Sequence, residues 1–233
     1  MLPEPDADWP RARSAVLRDA IAIGAATGAY ALSFGAVATA TGLSVLQTCV
    51  LSLVMFTGAS QYALVGVLGA GGGGLTAAAT AVLLGSRNAL YGLRLSSLLQ
   101  LRGLHRPLAA HLVIDESTAM SLGHESDRAN RLGFWATGAS VYVLWNVGTL
   151  IGALGTQALP SPRAVGLDAA APAAFLALLA PRVRGRAAVT VAVAAALVAT
   201  ACVPLLPVGG PVLVVAMLAI VIGAARRTSS EVR

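Results

Sequence analysis

Long apolar runs constrain this chain more than any other feature. Residues 21–41 carry no charged side chain, and neither do residues 43–70. A hydrocarbon layer of about 30 Å is crossed by roughly 20 helical residues, so each of these runs is long enough to span one. Further runs follow at 75–99, interrupted by Arg87 and Arg94, at 132–159, at 164–180 with Asp168 and Pro172 inside it, at 187–206 and at 208–225. Only 11% of the residues are charged, against about 25% in an ordinary soluble domain. The expected fold is therefore an all-α polytopic membrane protein of six to seven hydrophobic segments, forming one transmembrane domain over residues 21–225. The run at 21–41 ends in Ala38-Thr39-Ala40, which resembles a signal-peptidase site. It is longer than a signal's apolar region of roughly 7–15 residues, and more such runs follow, so a retained first helix is expected.

The net charge of +6 comes from sixteen arginines and no lysine. A nucleic-acid binder would gather them on one basic face. Here they lie between apolar runs and act as topology signals, with cationic segments expected on the cytoplasmic side. On that rule the tail 1–20, the stretch 100–131, the cluster Arg182, Arg184 and Arg186, and the tail 226–233 with Arg226 and Arg227 are all cytoplasmic. The stretch 100–131 reads as a cytoplasmic loop with a partly buried helix at 107–122.

Three apolar runs lie between the first tail and this loop, where an even number of crossings is required. The run 43–70 is the best candidate for one that does not cross, because small and polar residues in its middle favour a broken or re-entrant helix near 57–61. Fifteen residues, 43–57, span about 22 Å as a helix, enough for half of a re-entrant pair. Broken backbone at membrane depth is tolerated only where protein or a water-filled cavity surrounds it, so such a break points to a solute path. The alternative is that the arginine rule fails and all seven runs cross. The tetraglycine 71–74 is a turn, because it lacks the Gly-Lys-Ser/Thr of a phosphate loop. Cys49 and Cys202 read as reduced thiols inside apolar stretches, and Trp135, Tyr142 and Trp145 as interface anchors.

Three constellations could carry chemistry. Gly58-Ala59-Ser60-Gln61-Tyr62 offers backbone donors and acceptors with a hydroxyl, a carboxamide and a phenol, which suits a zwitterion. It would equally suit a tight helix crossing. Arg87, Asn88 and Tyr91 place Arg and Tyr on one helix face. A charge at membrane depth is functional or paired, whereas one near the end of a helix snorkels to the surface. Asp115 and Glu116 follow His111, which stands one helical turn before Asp115. They could exchange protons, pair with Arg87, or form a solvated face.

Three segments, Thr57-Gly58-Ala59-Ser60-Gln61-Tyr62, Ser86-Arg87-Asn88-Ala89-Leu90-Tyr91-Gly92 and Ile114-Asp115-Glu116, occur in an order and spacing that resemble the AzlC family. Gly148-Thr149-Leu150-Ile151-Gly152 extends the resemblance, which covers most of residues 15–225. It implies an exporter of branched-chain amino acids in the bacterial inner membrane, built from two related halves around a central site. It also implies a small AzlD-type membrane subunit as partner, with the lipid bilayer as solvent and no nucleic acid. Substrate would be held by Gly58, Ser60, Gln61, Arg87, Asn88 and Tyr91, with Asp115 or Glu116 available for proton coupling. No catalytic residue, metal or cofactor is expected. The chain departs from the family at Asn88, where members often carry His, and at Gly85, often acidic or an amide. An amide does not titrate, so no proton relay passes through position 88.

Two other classes remain. An intramembrane enzyme would need a nucleophile with its base, or a metal set, among the helices. All three histidines lie at 100–131, and neither HExxH nor GxSxG occurs. A sensory or assembly subunit without transport is the other, and export of a different small solute is the nearest variant of the first reading.

Overall fold

The computed structural model describes residues 9–157, 176, 180 and 183–219. Every regular element among them is helical: α1 (Trp9–Ala40), α2 (Val45–Val54), α3 (Gly58–Gly69), α4 (Gly74–Leu99), α5 (His105–His111), α6 (Asp115–Leu122), α7 (Asp127–Gln157), α8 (Arg186–Cys202) and α9 (Gly210–Ala219). Two are long and apolar enough to cross a membrane by length and composition, Trp9–Ala40 and Asp127–Thr156; α2, α9 and most of α8 are shorter apolar helices. Most of the run at 164–180, with Asp168 and Pro172, lies outside the described residues. So do Arg182, Arg226, Arg227, the tail 226–233 and residues 1–8 of the expected tail 1–20, whose residues 9–20 belong to α1.

The long helices α1 and α7 form the spine. Glycines let their backbones meet: a Cβ on Gly28 would stand 2.9 Å from the Leu144 Cβ and carbonyl oxygen, and Gly24 faces Ser140, Gly35 faces Thr149, and Gly152 faces Leu32. Small residues permit close helix approach where lipid supplies no hydrophobic drive between helices. Contact numbers rise together along both helices, so α1 and α7 run parallel.

The other elements follow from contacts to this spine. The chain enters α2 beside the end of α1, where the Leu43 N–H bonds the Ala38 carbonyl and Thr156 of α7 reaches the Ala36 carbonyl, and α2 ends beside Tyr142, whose hydroxyl donates to the Leu53 carbonyl, so α2 runs antiparallel to α7. The next helix, α3, turns back, because its Tyr62 hydroxyl bonds Ser33 at 2.6 Å and Gly69 packs against Thr41 at the C-terminal end of α1. Thus α2 and α3 form a helical hairpin, entered from the C-terminal end of α1, within the run 43–70 where a broken helix is expected. Its unwound residues are 55–57, and Gly58 to Gln61 form the first turn of α3.

From there α4 runs the other way through the bundle. Its Gly85 faces Ser60, and its last turn meets the start of α7, where Arg131 Nε donates to the Leu98 carbonyl at 3.1 Å. The parity required by the arginines is thereby met with α1 and α4 as the lengthwise helices before the central stretch.

The stretch 100–131 departs from expectation. It holds two helices, α5 and α6, broken at 112–114, and residues 127–131 already belong to α7. Local hydrogen bonding explains the break. Ile114 is extended (φ −131°, ψ 174°). Ser117 Oγ accepts its N–H at 3.1 Å and donates to the Leu112 carbonyl at 2.6 Å, offering the backbone an alternative to the helical ladder. The descent of α5 and return of α6 make a second hairpin, entered from the opposite end: His111 reaches the Leu53 carbonyl at 2.9 Å, while Met120 packs on Gly133 near the start of α7. The break also separates His111 from Asp115, which therefore do not share a helix face.

Trp145 is not an interface anchor. It is 5% exposed and packs in a core cluster with Tyr30 and Phe34. Tyr142 joins Phe56 and His111 in a ring contact where the two hairpin tips meet. Cys49 and Cys202 are free and half-buried.

Candidate functional site

The two breaks bring 55–57 of one hairpin beside 112–114 of the other. Unwound backbone at such depth needs partners, because a buried unpaired carbonyl costs about as much as a lost hydrogen bond. Side chains supply them. The Leu51 carbonyl accepts from the Met55 N–H at 2.9 Å and from Gln61 Nε2 at 3.3 Å. The Leu53 carbonyl is approached by His111 Nε2 and by the Tyr142 hydroxyl.

Beside these tips lies a cavity of about 270 Å³, just below the roughly 300–1,000 Å³ of sites for drug-sized ligands. Its apolar wall is Ala26, Tyr30, Phe56, Ile114, Val141 and Trp145; its polar wall is Thr27, Thr57, Arg87, Asn88, Asp115 and Glu116, with Gly58 and Ala59 completing the lining. Arg87, near the middle of the 26-residue α4, pairs with Asp115 at 3.0 Å. It does not snorkel with Arg94. The pair gives each charge an opposite partner, as charges among apolar helices require.

The start of α3 faces the same space. Its N-cap Thr57 side chain bonds no backbone N–H of the first turn and donates its hydroxyl to Ser60 Oγ instead. A helix start leaves its first N–H groups without intrahelical partners and carries partial positive charge. Buried polar atoms in the wall without a hydrogen-bond partner among the described residues include the Tyr30 hydroxyl, Arg87 Nε, Asn88 Oδ1 and Trp145 Nε1.

Of the residues singled out in the sequence, Gly58, Arg87, Asn88, Asp115 and Glu116 line the cavity. Ser60 and Gln61 are buried but are not in its lining, and Gln61 ties the tip of α2 to α3. Tyr91 packs half-buried against the core. Tyr30, Phe56, Thr57 and Trp145 were not singled out as site residues. Nothing local marks Tyr30, whose place in the wall depends on how α1 packs on α7.

The profile of the AzlC protein family matches residues 22–159, which takes in all the residues lining the cavity. This chain belongs to the AzlC family. A relative described as an uncharacterized membrane protein of Archaeoglobus fulgidus is 31% identical over 158 residues, spanning 67% of this chain and 69% of that protein. No solved structure matches. The AzlC match and the apolar helices make this a membrane protein, consistent with a transporter type of role.

Proposed function

We propose that this AzlC-family protein is a multi-pass secondary transporter of the cytoplasmic membrane that exports branched-chain and related neutral apolar amino acids, working with a small AzlD-type membrane subunit. The observation that carries the reading is the cavity between two opposed hairpin tips, where Arg87, Asp115 and Glu116 stand beside a wall of aromatic and aliphatic side chains. Ionisable residues at membrane depth mark solute pathways, and discontinuous helices are where transporters hold their substrates. A small zwitterion with an apolar side chain matches both kinds of wall. Selectivity among valine, leucine, isoleucine and methionine is loose, because one methylene in an apolar pocket is worth about 1–3 kcal/mol.

The test is efflux of radiolabelled valine, leucine and methionine from loaded cells expressing this chain with a candidate small subunit. Faster efflux than from empty cells, abolished by Arg87→Ala at equal expression, supports the reading. No acceleration, with both subunits inserted, overturns branched-chain export.

A further inference from the structure

The segments α2–α3–α4 and α5–α6–α7 have one anatomy. Each is a short helix, a three-residue break, a returning helix and then a long helix that starts at the end of the bundle where the hairpin began. One constant step in numbering relates them: Gly58 and Asp115 open the returning helices, Ser60 and Ser117 are buried in their first turns, and Asn88 and Trp145 line the cavity from the long helices, each pair 57 residues apart. The cross-contacts run both ways and are reciprocal to within one residue. Gly58 packs on the Trp145 ring of the second unit, and Asp115 pairs with Arg87, the neighbour of Asn88, in the first. Reciprocity of this kind is what a two-fold axis produces, and because the hairpins enter from opposite ends the units are inverted, with the cavity between them.

The chemistry breaks this symmetry. Gly58 and Ala59 at the start of α3 are small and line the cavity, and no side chain of the N-cap residue bonds the first-turn N–H groups, whereas the matching positions on α6 are Asp115 and Glu116. One helix start therefore offers donors and partial positive charge, and the other offers carboxylates. Among the described residues the lining carries the carboxylates of Asp115 and Glu116 and the guanidinium of Arg87. Trp145, 5% exposed, lines the same cavity with its six-membered ring packed on Gly58, and its indole N–H lacks an acceptor among the described residues, which points independently to a polar ligand in the cavity.

Resting on the export reading above, we infer that the cavity is a dipolar receptor that seats its amino acid in one orientation, carboxylate at the start of α3 and ammonium at Glu116 on the start of α6. The apolar side chain lies along Phe56 and Val141. Glu116 is then the residue that selects for an amino group, and Arg87 holds Asp115 in place without taking the substrate carboxylate.

Equilibrium binding of three labelled probes to the purified chain with its small subunit tests this: L-leucine, 4-methylpentanoate, which lacks the ammonium, and 3-methylbutylamine, which lacks the carboxylate. Glu116→Gln keeps size and removes the charge. Ala59→Pro removes one first-turn N–H at a position where proline's φ suits a helix start, and Gly58 before it has no Cβ to clash with the ring. The expected result is that Glu116→Gln weakens leucine and 3-methylbutylamine about tenfold or more and leaves 4-methylpentanoate unchanged, while Ala59→Pro weakens leucine and 4-methylpentanoate and spares 3-methylbutylamine. Wild-type binding of leucine without this crossed pattern, in monodisperse variants, overturns the orientation and leaves the export reading standing. Binding of none of the probes by the wild type overturns both.

Discussion

At the scale of single residues, Arg87 and Gln61 have different jobs although both stand in family-like motifs. Removing one member of an ion pair strands the other. Asp115→Asn should lower stability by about 1–3 kcal/mol, less than the roughly 3–5 of fully buried pairs, because the Arg87 and Asp115 side chains keep 30% and 23% of their exposure. Thermal unfolding in detergent checks this, and the double variant Arg87→Gln with Asp115→Asn should be more stable than Asp115→Asn alone, since no charge is left without its partner. Gln61 instead bonds the Leu51 carbonyl and is fully buried. Gln61→Ala should cost about 1–3 kcal/mol through the stranded carbonyl and the lost packing, and in whatever protein folds, the affinity for L-leucine should stay close to that of the wild type. A large loss of affinity with unchanged stability would make Gln61 a binding residue after all.

Among the elements, the α1–α7 spine is the least tolerant of added volume. A Cβ on Gly152 would press into the Leu32 backbone carbonyl, and neither helix can move without disturbing the contacts at Gly28 and Gly35. Gly152→Ala should therefore destabilise by about 1–3 kcal/mol or more, as overpacking does. Gly66→Ala on α3 is the internal contrast. It meets nothing within 4 Å, so the helix propensity of alanine should give about 0.5–1 kcal/mol of added stability. Chemical unfolding of the two variants side by side reads the difference, and equal behaviour would mean that the spine is looser than its backbone contacts imply.

For the whole molecule, the opposed hairpins predict sidedness. Ala40 and Gly73 flank the entry to the first hairpin, and Leu104 and Glu125 flank the entry to the second. All four are exposed. With Cys49 and Cys202 replaced by serine, single cysteines at positions 40 and 73 should react with a membrane-impermeant maleimide from one face of the membrane, and those at 104 and 125 from the other. Labelling of 40 and 73 from opposite faces would mean that α2 and α3 together cross.

The sequence by itself determined the class of the protein, since uncharged runs as long as 43–70 have few other solutions. The parity of the arginine clusters, with the small residues at its centre, also singled out that run as the one that turns back. Arg87, Asn88 and Asp115 were legible as candidates because polar groups are conspicuous in apolar surroundings. Tertiary structure alone decided the rest. The second hairpin was hidden because 100–131 is polar enough to pass for a surface loop, and its break at 112–114 depends on the bonds of Ser117. The inner positions of Tyr30 and Trp145 follow from which faces of α1 and α7 meet, and that is fixed by glycine contacts between residues more than a hundred positions apart. Hydropathy and charge record how each segment meets its solvent, whereas a cavity between two helix breaks exists only once both breaks are brought to the same depth.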